Sequence, residues 1–339
     1  MGVDFVFIIG YNAHCIQHHK KNNSYLCYLG NKGGLLRPII EKAYAKINLG
    51  LEITGKQPDG YHTLSMVMQT ISLHDKVGIY QTNDSDEVSM DMDFAGSHPE
   101  ADITCGDDNL CIKAAKLISA VLPVSHGYYI HLVKQIPSAA GMAGGSSDAA
   151  SVLRGINELE GGIFSREELR QMAVKLGADV PYCVDGGLSL CEGIGEKLTQ
   201  IDADFNSLLL LGKPLSGVST PAAYRWYDEH PDQNHGDIKK VIEGLQKNDI
   251  FLMDEYMHND LESAAKHFCP EIEQIEELML TEGAVISRVT GSGPTVFGIF
   301  DDDEKRHRAA QMLRESDLCA DVIYAKPYIP DYTKEAERT

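Results

Sequence analysis

Pro137, Ser138, Ala139, Ala140, Gly141, Met142, Ala143, Gly144, Gly145, Ser146, Ser147 and Asp148 follow one another in the chain. Residues this small let backbone N–H groups approach a ligand closely. A strand pattern precedes the stretch, and a helical pattern with Ala150, Leu153 and Ile156 on one side follows it from about Ser146. The first turn of that helix offers unsatisfied N–H groups and the positive end of a dipole, so the chemistry it suits is anion binding, phosphate first among anions. The plain alternative is a glycine-containing turn before a helix. No lysine follows the last glycine, so this is not a Walker-type loop and a cation has to come from elsewhere.

Lys46 is one candidate, set beside Asn48 in the otherwise apolar strand Ala43, Tyr44, Ala45, Lys46, Ile47. Asp179, on the tight turn before Val180 and Pro181, is the matching carboxylate, although alone it reads as a turn or cap residue. A hydroxyl attacking a phosphorus atom needs a base for its proton and a cation for the charge that develops, and the two residues meet both needs. Gly291, Ser292, Gly293 and Pro294 form a second small-residue loop, either a simple turn or a cover for an acceptor's phosphates. Tyr61 and His62, after Asp59 and Gly60, read on their own as hairpin residues.

These residues need elements to hold them. Strands are expected over 43–54, 64–73, 76–81 and 128–134, and helices over 109–122, 147–159 and 167–176. A hairpin is expected around Gly186 and Gly187. Beyond Ile201 come a strand at 208–211, helices at 221–228, 237–247 and 270–281, strands at 284–290 and 295–300, a helix at 304–314 and a strand at 321–326. The pattern is α+β in two lobes, 39–203 and 204–328, with 1–38 an extension outside the fold and 329–339 a frayed tail.

The chain's 339 residues suffice for two lobes around one cleft. A formal net charge of −20 argues against nucleic acid or an anionic membrane as partner, so a polyphosphate must find a local cationic or amide-rich pocket. The run Asp301, Asp302, Asp303, Glu304 reads as a solvated face. The eight cysteines contain no CxxC pair, which fits free thiols and a cytoplasmic protein; Cys183 and Cys191, flanking the Gly-Gly turn, read as buried structural residues. His14, His18 and His19 beside Cys15 are weighed as metal ligands against a solvated tail, and no metal site is assigned to the protein. No stretch approaches the roughly 20 apolar residues of a membrane span. The oligomeric state, monomer or homodimer, stays open.

Taken together and in order, these segments resemble the GHMP superfamily of small-molecule kinases. Ala45, Lys46, Ile47, Asn48 with Asp59, Gly60, Tyr61, His62 narrow the match to its branch acting on a cytidyl diphosphate alcohol. Gly177, Ala178, Asp179, Val180, Pro181 and Gly291, Ser292, Gly293, Pro294, Thr295, Val296, Phe297 match as well, and the likeness covers about residues 40–328. It implies an N-terminal α/β lobe of the ribosomal S5 domain 2 kind, a ferredoxin-like βαβ C-terminal lobe, and a site in the cleft between them. It implies transfer from ATP, with Mg²⁺, to an alcohol, Asp179 acting as base and Lys46 as orienting cation. By the same resemblance Tyr61 and His62 hold the cytosine with Tyr224 on the opposite face, Asn48 lies near the acceptor, and Asn109 and Lys134 lie near adenine, where each reads equally as a cap or a strand-surface residue. Met142 stands where leucine is common, and 1–38 has no family counterpart. A homoserine or mevalonate kinase, a decarboxylase of the superfamily and a non-catalytic nucleotide binder are the competing readings.

Overall fold

Alternation along β1 (Ile39–Lys56) sorts its side chains: Ala45, Ile47 and Leu49 are fully buried on one face, while Lys46 and Asn48 lie between them on the other. The structure is a computed structural model that describes residues 38–82, 86–95, 103–124, 126–231, 236–332 and 337–338. The expected extension therefore lies outside the described residues except for Pro38.

β1 turns through 57–61 into β2 (His62–Thr82), its antiparallel partner. β2 is one continuous strand where the sequence suggests two broken near Asp75. The polar residue is tolerated in mid-strand because its Oδ1 accepts the backbone N–H groups of Gln135 and Ile136. β3 (Val88–Phe94) goes beyond the expected elements, although Val88, Met90, Met92 and Phe94 alternate with polar residues; it runs parallel to β4. After α1 (Leu110–Ser119) come β4 (Gly127–Lys134) and α2 (Gly144–Leu159), which starts three residues earlier than its apolar period suggests. α3 (Arg166–Ala173), α4 (Val180–Asp185), β5 (Leu188–Gly193) and β6 (Lys197–Gln200) follow. Gly186 and Gly187 do not turn a hairpin. They link α4 to β5, and the hairpin is β5 with β6. Cys183 on α4 and Cys191 on β5 are buried free thiols.

The second sheet uses β7 (Leu208–Pro214) and then five helices: α5 (Thr220–Glu229), α6 (Ile238–Lys247), α7 (Ile250–Tyr256), α8 (Glu262–Phe268) and α9 (Glu271–Thr281). β8 (Ile286–Val289), β9 (Val296–Phe300), α10 (Asp303–Glu315) and β10 (Cys319–Ala325) complete it. Its order β10-β7-β9-β8, all antiparallel, is the ferredoxin-like arrangement. The first sheet runs from β11 (Glu337–Arg338) through β1, β2 and β4 to β3, with β5 on the first half of β2.

The apolar face of β1 joins the sheets, since Ala45, Ile47 and Leu49 share a core with Leu209, Leu211, Phe297 and Ile299. Each such large side chain removed from water stabilises the fold by about 1.5–3 kcal/mol. The tail is less frayed than expected: the Arg154 guanidinium lies 3.7 Å over the ring of buried Tyr332, and β11 (Glu337–Arg338) pairs with the start of β1. No described helix is long and apolar enough to cross a membrane.

Candidate active site

Register shifts in the β1–β2 ladder fall on either side of Lys46 and Asn48, between Tyr44 and Lys46 and between Asn48 and Gly50. Bulges of this kind re-aim side chains. The Lys46 ammonium donates to Asn48 Oδ1 at 2.7 Å and to the Gly141 carbonyl at 2.8 Å, and it lies 4.0 Å from Asp179 Oδ2. Lys46 is buried, while the Asp179 side chain keeps 32% of its surface exposed. Asp179 occupies the N-cap position of α4, yet its side chain makes no capping bond, so the carboxylate is turned to the cleft instead of being consumed by the helix. The Asn48 amide donates to Met66 Sδ, and its backbone N–H donates to Thr290 Oγ1 at 3.0 Å.

The two small-residue loops pack against each other. A Cβ on Gly141, at φ +71°, would sit 2.2 Å from the Thr290 carbonyl oxygen, and one on Gly291, at φ +60°, would meet Gly141 O at 3.0 Å and Lys46 Nζ at 3.3 Å. Glycine is required at both for conformation and for space. Ala143, also left-handed at φ +57°, leads into α2 with no side-chain cap, leaving the N–H groups of Gly144, Gly145 and Ser146 for a ligand. Pro137, Ala140, Gly141, Met142 and Ser146 line the cleft together with those residues. Ser147 does not: it is buried and its N–H already bonds the Ala143 carbonyl at 2.9 Å. Gly293 is turned away from the cleft too, its missing Cβ facing Ala265 and Val289. Asn259, which no sequence signal singles out, clamps the second loop by donating to Val289 O at 3.0 Å and Gly291 O at 2.8 Å.

Lys134, expected beside adenine, is instead buried between the carboxylates of Asp75 and Asp148, the latter at 2.8 Å, under the start of α2. Its ammonium is fully engaged and reaches the cleft only as part of the inner wall. Burial pushes the Asp148 carboxyl well above the usual range and Asp75 adds to this, outweighing the pull of Lys134. Burial works against the Lys134 ammonium, but the two carboxylates hold it above its ordinary value. One ammonium between two buried carboxyls is best satisfied when one of these keeps a proton. Asn109 serves as the N-cap of α1, accepting from Cys111 N at 2.8 Å and donating to Thr104 O at 2.7 Å, and from that position it still lines the cleft.

At the far end, α5 presents Thr220, Pro221, Tyr224, Arg225 and Asp228 to the cleft, one stripe at helical spacing. His62 Nε2 meets Asp228 Oδ1 at 2.8 Å, and Lys56 donates to Asp228 Oδ2 at 2.6 Å. The hydrogen bonds from Lys56 and then His62 hold the Asp228 carboxyl below its usual range. Tyr224 stacks on His62 itself, centroids 4.7 Å apart and planes at 20°, so it does not stand across an open slot from that ring as the sequence suggests. Tyr61 is 62% exposed at the mouth. Thr220 and Ser292 share a hydrogen bond of 2.7 Å that ties α5 to the second loop. Lys56, Thr220, Arg225 and Asp228 are cleft residues that sequence reasoning missed, because only the packing of α5 against the β1–β2 turn brings them there.

Loop, Lys46–Asp179 pair and α5 stripe border one cleft of about 950 Å³, large enough for two small substrates. A cation beside a partly exposed carboxylate, next to a loop of free N–H groups, is equipped for phosphoryl transfer to a hydroxyl. Models of the GHMP kinases N terminal domain and the GHMP kinases C terminal domain match residues 109–187 and 241–317. The chain is 43% identical over 269 residues to a 4-diphosphocytidyl-2-C-methyl-D-erythritol kinase of Lachnoclostridium phytofermentans, covering 79% of this chain and 90% of the relative. It is 41% identical to the enzyme of that name in Clostridium beijerinckii, covering 84% of this chain and 95% of the relative. A crystal structure of 4-(cytidine 5'-diphospho)-2C-methyl-D-erythritol kinase superposes with a TM-score of 0.67 at 28% identity, over 85% of this chain and 98% of that one. A homoserine kinase from Cytophaga hutchinsonii, at 16% identity and TM-score 0.67 over 89% and 98% of the two chains, shares the fold. The chain belongs to the GHMP kinases, in the family of 4-diphosphocytidyl-2-C-methyl-D-erythritol kinases.

Proposed function

We propose that the chain transfers the γ-phosphoryl group of ATP to the 2-hydroxyl of 4-diphosphocytidyl-2-C-methyl-D-erythritol, giving the 2-phosphate and ADP in non-mevalonate isoprenoid precursor synthesis. The observation that carries this reading is Lys46 at 4.0 Å from Asp179, with the glycine loop bonded to the same ammonium through Gly141 O at 2.8 Å. The acceptor hydroxyl gives its proton to Asp179 as its oxygen bonds to the γ-phosphorus, and the bond from that phosphorus to the ADP oxygen breaks. Lys46 keeps the carboxylate oriented and offsets charge on the transferring group. Its buried hydrogen bonds fix the ammonium before substrate arrives, so little reorganisation is left for the reaction itself. The N–H groups of Gly144, Gly145 and Ser146 hold the donor phosphates, with Asn109 at the adenine end. Asn48, Tyr61, His62, Gly291 and Ser292 border the acceptor.

Among the described residues no group of three His, Cys, Asp or Glu is placed to hold a metal. The cleft offers single oxygens on Ser146 and Asp179, a set that suits Mg²⁺ kept mostly by water and substrate phosphates. When bound with ATP it neutralises charge on the phosphate oxygens. The division into units 39–203 and 204–328 is supported by the break between β6 at Gln200 and β7 at Leu208.

The deciding measurement supplies purified protein with ATP, Mg²⁺ and the cytidyl diphosphate acceptor and follows ADP. Turnover on homoserine with none on that acceptor would overturn the assignment. Asp179→Asn is expected to lower kcat by about 10²–10⁴ while leaving the Kd for ATP within about threefold. Unchanged turnover would remove Asp179 from the mechanism.

A further inference from the structure

A chain of net charge −20 that brings a triphosphate and a diphosphate into one cleft needs cations there, and nearly all of those lining it are already committed. Lys46 is buried against Asn48, Gly141 and Asp179. Lys134 is held by Asp75 and Asp148. Lys56 and His62 share the carboxylate of Asp228. Arg225 remains: it lines the cleft, and among the described residues its guanidinium has neither an ion pair nor a hydrogen bond.

Its placement selects the ligand. Arg225 lies one residue after Tyr224, whose ring stacks on His62, and four after Pro221 on the cleft-facing stripe of α5. The same helix begins at Thr220, whose hydroxyl bonds Ser292 at 2.7 Å; one hydroxyl of such a pair donates to the other and leaves a donor free for a ligand. A free guanidinium beside a hydroxyl pair, next to the rings at the mouth, is the equipment for a diphosphate attached to a base. The donor phosphates have the amides of the glycine loop instead.

We infer that Arg225 binds the diphosphate of the acceptor and sets the preference for a nucleoside diphosphate over an uncharged alcohol. This rests on the proposed acceptor, and it assigns Arg225 to substrate binding while the chemical step stays with Lys46 and Asp179.

The test compares CDP with cytidine by titration calorimetry on the wild type and on Arg225→Gln, a change at an exposed position that leaves the core intact. The wild type is expected to bind CDP more tightly than cytidine. The variant should lose about 10- to 100-fold in CDP affinity with cytidine within twofold, the loss of a charge-assisted contact. In turnover, the acceptor KM should rise by the same factor with kcat and the ATP KM within about threefold, and Arg225→Lys should recover part of the loss. An equal effect on CDP and cytidine, no effect on either, or a rise confined to the ATP KM overturns the inference. Should the wild type fail to turn over the acceptor, the proposed function falls, and the comparison of CDP with cytidine still decides what Arg225 binds.

Discussion

Asp148 under the glycine loop and Asp228 on the α5 rim each meet a lysine at hydrogen-bonding distance, 2.8 Å from Lys134 and 2.6 Å from Lys56. Their carboxyls nevertheless move in opposite directions, up for Asp148 and down for Asp228. The partner is the same kind of group in both, so the surroundings decide. Asp148 is buried beside a second carboxyl, and losing water costs its charged form more than one ammonium returns. Asp228, a third exposed, stays hydrated and simply gains two donors. The loop end is thus a closed network in which every cation is immobilised, and the α5 end is an open one, reached and screened by water and salt.

The contrast is tested most severely by Lys134→Met. Leaving two buried carboxyls without their cation is expected to cost about 3–5 kcal/mol in denaturant unfolding at neutral pH. A loss under about 1 kcal/mol would mean that the network is hydrated and the contrast void. Gly141→Ala comes next: with its Cβ 2.2 Å from the Thr290 carbonyl, the two loops must separate and the Gly141–Lys46 bond must stretch, so kcat/KM should fall about 10- to 100-fold. Wild-type kinetics in this variant would show that the loops move without consequence for Lys46.

Asp148→Asn sharpens the comparison through pH. With the carboxyl pushed up in the fold, the folded state keeps a proton that the unfolded chain gives up, so stability declines as pH rises above the ordinary carboxylate range. The Asn variant should flatten that decline, read from melting temperatures between pH 4 and 8. An unchanged slope would assign the decline elsewhere. Asp228→Asn should have the smallest effect. A depressed carboxyl contributes stability that is present above the unfolded pKa of about 3.9 and lost as pH falls through the lower folded value. At the solvated rim this amounts to about 1 kcal/mol or less, shrinking further in high salt. A larger, salt-insensitive loss would make the rim as closed as the loop.

The residues proposed for the chemistry were legible because their signals are local. Small residues between a strand and a helix, a lone lysine on an apolar strand and an unclaimed aspartate on a turn can all be read from neighbours in the chain. Ser147 and Gly293 share those local signals, yet burial turns both away from the cleft. Lys134 looked like a strand-surface or ligand residue because its two partners, Asp75 and Asp148, stand 59 and 14 residues away. Asp75 misled the strand assignment for the same reason: the backbone N–H groups that satisfy it come from the end of β4.

By itself the sequence determined the family and most of the elements in their order, and it singled out the small-residue loop and the candidate pair Lys46 and Asp179, all carried by residue type and short-range spacing. Tertiary structure alone decided which polar groups are consumed and which stay free. Lys134 is spent between two buried carboxyls, His62 and Lys56 are spent on Asp228, Tyr224 is laid on His62, and Arg225 is left open to the cleft. Availability depends on partners distant in the chain and on how much water reaches each group, and neither is written in local sequence.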